Sequence, residues 1–301
     1  MSFNRLPNEL AELILVPNCG ANIRSVCRLW LTIHDAAVTV IRISKSGPGY
    51  QFGDRFPSLT TFAFRLYAEM TYETFGNIST LTTITSLELS CDWDTLDRAW
   101  SPGVLLMKNR AVGVLSTLTA LQSLTLRECR ITEELVQSLK PLTGLRYLDL
   151  TKNELASINE TLAGFLSVLT ALKTLNLSDN YLTCVTGLSS LSGLTGLNLS
   201  NNGLRGLTGL STLHSLTQLN LSDNLLSSAA GLSSLTALTD LNLSGNLFSS
   251  ATGLSSLTTL TTLDLADNML NCVAGLASLT ALTFLDMSKN GLDSVTSLTY
   301  F

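Results

Sequence analysis

The chain has 301 residues, 14% of them charged, with a formal net charge of −5 and a pI near 5.0. Because no basic patch with interleaved aromatic residues accompanies this acidic balance, we expect no nucleic-acid partner. The mean hydropathy is +0.32. No apolar run approaches the roughly 18 to 20 residues of a membrane-spanning helix, so we also expect no membrane partner.

Residues 1–45 do not follow the repeat that fills the rest of the chain, and they predict a helical segment. Apolar side chains recur at helical spacing in NELAELIL and in IRSVCRLW. The segment also carries L-P-x-E-L, an I-L pair and V-C-R-x-W in that order, and in these motifs it resembles the F-box. The resemblance implies binding to the Skp-type adaptor of a cullin ubiquitin ligase. The contact residues that it implies are Leu6, Pro7, Leu10, Ile14 and Trp30.

The same segment has a purely structural interpretation, which stays open. A repeat array exposes an apolar end, and an N-terminal helical cap is needed there whether or not it binds a partner. The interval from Leu6 to Trp30 is shorter than in the F-box family, and residues 16–21 replace its usual connection. The apolar run at residues 13–16 is too short for a signal peptide, and Glu9 and Glu12 precede it, so we expect a cytoplasmic protein.

Residues 46–119 predict degenerate early repeats with an insertion near residues 92–113. The insertion, DWDTLDRAWSPGVLLMKNR, is either a functional loop or a longer connection between repeats. The second is favoured, because long irregular loops are only sometimes functional. The weak copies of an L-x-x-L-x-L pattern in and before this segment are Val38-Ile41-Ile43, Leu59-Phe62-Phe64 and Ile84-Leu87-Leu89.

Residues 120–301 are regular repeats of the pattern L-x-x-L-x-L-x-x-N, and over the last five intervals the asparagine returns every 22 residues. The alternation L-x-L predicts a strand with one buried face. A parallel partner one repeat later needs a crossover of about a dozen residues, for which this interval leaves room. The asparagines are Asn153, Asn180, Asn202, Asn224, Asn246, Asn268 and Asn290, and Cys129 takes the same position in an earlier copy.

This pattern resembles the leucine-rich repeat family over about two thirds of the chain. The length of the repeat is similar to the subclass found in a phosphatase regulatory subunit and in bacterial internalins. The resemblance implies an α/β fold, a right-handed leucine-rich-repeat solenoid with a parallel concave sheet. Short helical or 3-10 crossovers would lie on its convex side, with a helical cap at the N-terminus.

Two recurring residues have a structural explanation. The asparagine amide donates and accepts hydrogen bonds at once, so it can pair backbone groups that a buried turn leaves without partners. A glycine column requires either a positive φ or close approach of neighbouring coils. Its members are Gly187, Gly209, Gly231, Gly253 and Gly275.

The crossovers differ in length along the chain. The segments TEELVQSLKP (residues 132–141) and ETLAGFLSVL (residues 160–169) predict true helices, since the first has an N-cap candidate and a terminating proline. Later copies leave room only for short turns.

No catalytic, metal or cofactor site is predicted. The only histidines, His34 and His214, are not paired with a nucleophile in any recognisable motif, and no phosphate loop or dinucleotide fingerprint occurs. The six cysteines are scattered without a C-x-x-C pair. We therefore expect no enzyme activity, no cofactor and no small-molecule substrate.

The exposed face of the sheet is the candidate binding surface. The residue between the two strand leucines is polar in each regular copy and becomes acidic toward the C-terminal end. Tyr147 and Phe284 are either binding anchors or ordinary surface aromatics. Because the middle copies are nearly identical, we expect a partner to contact the two ends. The predicted contact residues are Arg127, Arg146, Tyr147, Lys152 and Lys173 at one end and Asp264, Phe284, Asp286 and Lys289 at the other.

These observations predict a non-catalytic protein–protein interaction module. The favoured interpretation is an F-box-like substrate adaptor of a cullin ubiquitin ligase, which reads a protein partner with its concave face. The alternative is a leucine-rich-repeat scaffold or regulatory subunit, similar to the phosphatase regulator, whose N-terminus is only a structural cap.

Overall fold

A computed structural model describes residues 12–15, 40–43, 59–66, 81–91, 113–131, 133–158 and 160–292. The chain divides into two compact units, Met1–Leu145 and Arg146–Phe301. In both units the described residues form short parallel strands that follow one another in chain order. None of the helices in these ranges has the length and apolar content of a membrane-spanning segment.

The described residues of the first unit form five strands, each paired in parallel with the next. The register places the apolar residues of successive copies opposite one another, so that Ile41 pairs with Phe62 and Phe62 with Leu87. The two weakest predicted copies are therefore confirmed as strands. The five strands are β1 (Glu12–Leu15), β2 (Val40–Ile43), β3 (Thr61–Leu66), β4 (Ser86–Cys91) and β5 (Ser123–Arg127).

The predicted N-terminal helix is wrong at residues 12–15, because these residues form strand β1 and pair in parallel with β2. The physical reason can be read in the sequence: Leu10, Leu13, Leu15 and Asn18 fit the pattern L-x-x-L-x-L-x-x-N. Leu13 and Leu15 stand opposite Ile41 and Ile43 in the register, as strand positions of a repeat should. A strand at a repeat position, rather than a helix, therefore occupies residues 12–15.

In the second unit, residues 146–158 and 160–292 form seven parallel strands of three residues each. From the second of them onward, successive registers are offset by 22 residues, so that Leu175 pairs with Leu197 and Leu197 with Leu219. The strands are β6 (Tyr147–Asp149), β7 (Thr174–Asn176), β8 (Gly196–Asn198), β9 (Gln218–Asn220), β10 (Asp240–Asn242), β11 (Thr262–Asp264) and β12 (Phe284–Asp286).

The crossovers agree with the lengths of the sequence intervals. The two predicted helices are confirmed as α1 (Glu133–Ser138) and α2 (Glu160–Val168). The 22-residue copies have only 3-10 turns, at Thr186–Leu188, Thr252–Leu254 and Ala274–Ser278. Leucines from the strands and the crossovers are almost fully buried between these two layers.

The asparagines that end each copy of the repeat stack into a ladder and are called the ladder asparagines. They pair backbone groups of two neighbouring coils, a coil being one copy of the repeat. The Nδ2 group of Asn224 lies 3.0 Å from the Leu199 oxygen, 3.1 Å from the Leu221 oxygen and 3.0 Å from the Ser222 oxygen. Its Oδ1 accepts the Leu204 N–H at 3.0 Å. The same arrangement of donors and acceptors recurs at Asn180, Asn202, Asn246, Asn268 and Asn290.

Cys129 takes the position of a ladder asparagine, and it shows which hydrogen bonds only an amide can make there. Its thiol lies 3.2 Å from the Arg127 oxygen and 3.7 Å from the Leu89 oxygen, the acceptors that correspond to two of those used by asparagine. A thiol is a weak donor, and it has no carbonyl oxygen to accept an N–H from the preceding coil. Cysteine is therefore a partial substitute at this position.

The residue before each ladder position has left-handed backbone geometry. This conformation turns the chain inward after the strand, and aspartate, asparagine and glycine tolerate it better than other residues. Five of the eight residues in this column belong to those three types. This left-handed column consists of Glu128, Lys152, Asp179, Asn201, Asp223, Gly245, Asp267 and Lys289, with φ values between 51° and 64°.

The asparagine ladder gives a first testable prediction. Asn224→Leu should lower the free energy of unfolding by about 1 to 3 kcal/mol for each buried backbone group that it leaves unpaired. Thr236→Ala, at an exposed position on a crossover, should change it by less than about 0.5 kcal/mol. Chemical denaturation of the two variants measures the difference, and equal midpoints would contradict the role given to the amide.

Both predicted causes, a positive φ and the close approach of neighbouring coils, occur in the glycine column. Gly209 has a φ of +107°, and a Cβ there would lie 2.6 Å from the Val185 oxygen. At Gly275 the φ is not positive, but a Cβ would overlap the Ala251 oxygen and lie 2.5 Å from the Thr252 Cα. Neighbouring coils are therefore in backbone contact at this position.

A second prediction follows from this contact. Gly275→Ala should destabilise the chain by more than about 1 kcal/mol, because backbone atoms of the adjacent coil must move to admit the methyl group. The matched control is Gly206→Ala, since a Cβ at Gly206 meets no atom within 4 Å. Thermal unfolding of the two variants compares them, and a stable Gly275→Ala variant would show that the coils can separate without cost.

Candidate functional site

The open face of the second unit consists of two columns of side chains. Between them, the strand leucines such as Leu219 and Leu241 point inward and are 2% exposed. The first column is Tyr147, Thr174, Gly196, Gln218, Asp240, Thr262 and Phe284, and the second is Asp149, Asn176, Asn198, Asn220, Asn242, Asp264 and Asp286. Most of these residues are half-buried, and only Gln218 and Phe284 are exposed.

The second column has a structural function that the sequence analysis missed. The Oδ1 atom of each side chain accepts the backbone N–H two residues further on, as in Asn220 to Ser222 at 3.0 Å and Asp264 to Ala266 at 2.9 Å. Asparagine and aspartate commonly close a turn in this way. One oxygen of Asp264 and of Asp286 is therefore occupied by the fold.

The Asp286 carboxylate shows the electrostatic effect of this turn. Its Oδ1 accepts the Ser288 backbone N–H at 2.8 Å. That hydrogen bond and a second one from the Ser288 side chain lower the pKa of Asp286 from its ordinary value of 3.8. Desolvation opposes them, and the positive charge of Lys289 adds the smallest contribution to the lowering of the pKa. Asp286 is thus ionised at the pH of any cellular compartment.

A third prediction follows from the lowered pKa. The turn at Asp286 is stabilised above the unfolded-state pKa, and this stabilisation is lost as the pH falls through the lower, folded-state pKa. In a carbon-13 titration of side-chain carboxyl groups, Asp286 should have its midpoint below 3.8. Ser288→Ala should raise that midpoint toward 3.8, because the hydroxyl donor is lost while the backbone donor stays. A midpoint that Ser288→Ala leaves unchanged would show that the hydroxyl contributes nothing.

The predicted contact residues at the N-terminal side have different environments. Arg127 is the exposed last residue of β5 in the first unit, and Arg146 is exposed immediately before β6 in the second. Lys173 donates from Nζ to the Gly193 oxygen at 3.2 Å, and Lys152 is exposed in the left-handed column. Within the second unit, positive charge is therefore concentrated in its first coils.

Tyr147 is tied to its own strand. Its hydroxyl donates to Asp149 Oδ2 at 3.3 Å, and the side chain is only half-exposed. Asp149 is fully buried and also accepts the Thr151 backbone N–H at 3.0 Å. The aromatic ring is therefore held in place, which lowers the conformational entropy that a partner would have to restrict.

The predicted residues at the other end lie on β11, on β12 and in the turn that follows β12. Phe284 is 53% exposed in the first column. Asp264 and Asp286 occupy the second column on adjacent strands, and Lys289 follows in the left-handed column. These four residues combine an exposed ring with charges of both signs.

Threonines form a further ladder where the strands begin. The Thr217 hydroxyl donates to the Thr195 oxygen at 3.1 Å, and Thr239 and Thr261 repeat the bond at 3.1 and 3.0 Å. Each of these oxygens also accepts two backbone N–H groups of the next coil, as Thr195 does from Thr217 and Gln218 at 2.9 and 3.0 Å. Polar side chains beside the open face thus serve largely to hold the coils together.

A column of exposed apolar side chains was also missed. Each member directly follows a ladder asparagine, a position that lies outside the buried leucine pattern. The sequence could have revealed this column, because an apolar residue at this position of the repeat is not required by the core. The members are Tyr181, Leu225, Leu247 and Met269, with exposed fractions of 66%, 39%, 42% and 62%.

Charge is unevenly distributed over the second unit. From residue 206 to residue 288 the sequence contains no lysine, arginine or glutamate. Its aspartates, which are the only formal charges in that stretch, are Asp223, Asp240, Asp264, Asp267 and Asp286. In the described ranges, no three His, Cys, Asp or Glu residues stand close enough together to share a metal ion.

The comparisons with known proteins agree on the repeat. The family model Leucine Rich Repeat matches residues 171–194. A solved leucine-rich-repeat protein of Leptospira interrogans is similar to the chain at 24% identity and a TM-score of 0.59, over 72% of this chain and 52% of that one. No curated protein matches the chain significantly.

Two structures from Listeria monocytogenes extend the similarity. An internalin, inlF, has 19% identity and a TM-score of 0.55 and covers 93% of this chain and 92% of its own. The functional domain of InlJ, which includes a cysteine ladder, has 21% identity and a TM-score of 0.58, over 88% of this chain and 52% of that one. The chain therefore spans about half the length of the Leptospira protein and of InlJ.

These similarities establish the fold. The chain is an α/β leucine-rich-repeat solenoid of parallel strands with short helical and 3-10 crossovers, as the repeat predicted. The F-box resemblance finds no counterpart among the family model or the similar structures. Of the residues implied in adaptor binding, Leu6, Pro7, Leu10 and Trp30 lie outside the described residues, and Ile14 belongs to β1.

Proposed function

We propose that the chain is a non-catalytic protein–protein interaction module that binds a protein partner on the open face of its second unit. One observation carries the proposal: the strand leucines are buried on one side of the second unit, while all residues of the two columns on the other side except Asp149 and Gly196 are half-buried or exposed. Parallel sheets usually have both faces covered, so an uncovered face is available for a partner.

The composition of this face favours contact at its ends. On the middle strands, the asparagine side-chain oxygen already accepts a hydrogen bond within a backbone turn, as at Asn198 and Asn220. The first coils supply Arg146, Tyr147 and Lys173, and the last coil supplies Phe284. Aromatic and arginine side chains are enriched among residues that contribute most to binding. The eight predicted contact residues of the second unit therefore remain the proposed partner-binding residues, while Arg127, which lies in the first unit, stays a prediction.

A scaffold or regulatory subunit is the form of this function that we favour. The F-box-like adaptor hypothesis needed a helix through Leu10 and Ile14, and strand β1 begins at Glu12. A structural N-terminus, by contrast, needs only to pair with β2, as β1 does. The proposed location is the cytoplasm, because the described cysteines Cys129, Cys184 and Cys272 are free thiols, as is usual in a reducing compartment.

The binding face can be tested with a matched pair of double variants. Thr174→Arg with Thr262→Arg places one charge near each end of the open face, opposite Tyr147 and Phe284 in the register, without changing the second column. Thr236→Arg with Thr258→Arg places the same charges on exposed crossover positions. Because an arginine in the contact must lose its hydration without a partner, the face pair should weaken binding by more than about tenfold.

Proteins captured from cell extract by the immobilised full chain would be quantified by mass spectrometry with each variant. The proposal predicts a partner that the face pair loses and the crossover pair retains. If every captured protein tolerates the face pair, the open face is not the binding surface. Adding a Skp-type adaptor to the chain and measuring co-elution by size exclusion separates the two forms of the function: a stable complex would support the adaptor hypothesis against the scaffold.

A further inference from the structure

The apolar column, defined as Tyr181, Leu225, Leu247 and Met269, is an outward-facing feature that the core does not require. The residues that follow its members, such as Leu226 and Leu270, are fully buried and fill the core. The column residues themselves are between 39% and 66% exposed. Glycine occupies the same position at Gly203, which shows that the repeat folds there without an apolar side chain.

Three members of the column lie on consecutive coils. Leu225, Leu247 and Met269 are 22 residues apart, the offset of the strand register. Neighbouring strands lie about 4.8 Å apart, so their side chains form one continuous apolar strip along the stack. Among the described residues, the structure has six exposed large hydrophobic side chains, and four of these belong to this column. Exposed apolar side chains that cluster in this way mark interaction sites.

The charges beside the strip determine which partner fits. Asp223 and Asp267 lie on the coils of Leu225 and Met269, in the left-handed column just before the ladder asparagines. Lys289 follows Asp267 in the same column on the next coil, but no lysine or arginine occurs between residues 206 and 288, so the formal charges beside Leu225 and Leu247 are negative. A segment with basic residues beside its apolar face is attracted to this surface, and an anionic lipid surface is repelled.

The spacing of the strip favours a helical partner. One apolar residue per coil repeats every ~4.8 Å along the stack. Residues three or four apart on an α-helix rise about 4.5 to 6 Å along its axis, so a helix parallel to the stack presents one apolar side chain to each coil. Residues on one face of an extended strand are roughly 6.6 Å apart and lose this match within a few coils.

We propose that the apolar column binds a basic amphipathic helix of a partner protein, lying along the stack of coils. The proposal deepens the protein-interaction function, on which it rests, because it names the partner's recognition element. The contact extends beyond the open sheet face to the turns that follow the strands. Asp223 and Asp267 attract the basic flank of the helix, and the column buries its apolar face.

A designed helical peptide of about 20 residues tests the proposal directly, with leucines at helical spacing and lysines on both flanks. Its dissociation constant for the full chain would be measured by fluorescence anisotropy. Leu247→Ser should raise the dissociation constant about tenfold or more, because a buried leucine contact is lost. The control is Val168→Ser, which removes an exposed apolar side chain at the end of α2 and should have no effect.

A gain-of-affinity variant tests the geometry. At Gly203 the φ is not left-handed, and a Cβ would lie 3.5 Å from the Leu182 oxygen, an ordinary contact. Gly203→Leu therefore joins Tyr181 to the rest of the column and should tighten peptide binding by about threefold or more. Gly206→Leu is the control on the same coil, where a Cβ meets nothing within 4 Å, and it should leave the affinity unchanged.

The charge requirement is tested by Asp223→Asn combined with Asp267→Asn, which keeps the left-handed preference of both positions. This pair should weaken binding of the lysine peptide and reduce its dependence on salt. A peptide with glutamate in place of lysine, and one with scrambled leucines, should both bind at least about tenfold more weakly. Equal affinity for all three peptides would overturn the proposal.

Two further outcomes would overturn the proposal of a bound helix. Binding of the chain to phosphatidylcholine vesicles that Leu247→Ser abolishes would show that the column is a lipid-contact surface and would overturn the helix proposal. If the lysine peptide does not bind, the column proposal is refuted. If the open-face double variant still loses its captured partner in that case, the interaction function stands. Circular dichroism melting of each variant confirms that it is folded.

Discussion

The structure depends on one constraint: the chain turns inward after every strand, and the backbone groups in that buried turn must be hydrogen-bonded. In a low-dielectric interior an unpaired N–H or carbonyl costs about 1 to 3 kcal/mol. The amide of each ladder asparagine pairs carbonyls of its own coil and of the coil before it, and accepts an N–H from that preceding coil. Asparagine therefore links successive coils while completing each turn.

Other columns follow from the same geometry. The turn needs a left-handed residue before the asparagine, and the stacking of coils needs a glycine where backbones meet, as at Gly275. Aspartate or asparagine on the strand closes the start of the turn, and threonine hydroxyls join the coils where the strands begin. Because so many positions are fixed by the backbone, few are left to vary with a partner.

This limitation directs attention to positions that the fold leaves unconstrained. The residue after the ladder asparagine is one of them, and in four copies the chain carries an exposed tyrosine, leucine or methionine there. The ends of the open face are another, where Arg146 and Phe284 differ from the middle copies. The proposed interaction surfaces are the places where the sequence departs from what its own repeat requires.

Much of the fold could be predicted because the leucine period and the intervals between copies are direct consequences of strand pairing and crossover length. Strands β2 and β3 and helices α1 and α2 were predicted on that basis. Strand β1 was not, because Leu10, Leu13 and Ile14 also fit the spacing of a helix, and a short apolar stretch does not distinguish the two. Local periodicity cannot show which copy pairs with which.

The candidate site was harder to predict for a related reason. The polarity of Asn220 or Asp264 is visible in the sequence, but the turn hydrogen bond that occupies an oxygen of each depends on backbone geometry. Likewise, the exposure of Leu225 and Met269 becomes clear only when the neighbouring Leu226 and Leu270 are found to fill the core. Sequence identified the residue types, and the structure assigned which of them the fold uses.

Native-state hydrogen exchange tests the central claim most directly. The amides of Leu204, Leu226 and Phe248 lie outside regular secondary structure and donate to ladder asparagines at 3.0 Å. If the ladder holds the coils together, these amides should be protected as strongly as Leu221, whose N–H donates to the Asn242 oxygen on the next strand at 2.8 Å. Exchange at the rate of an open loop, while Leu221 stays protected, would contradict the account.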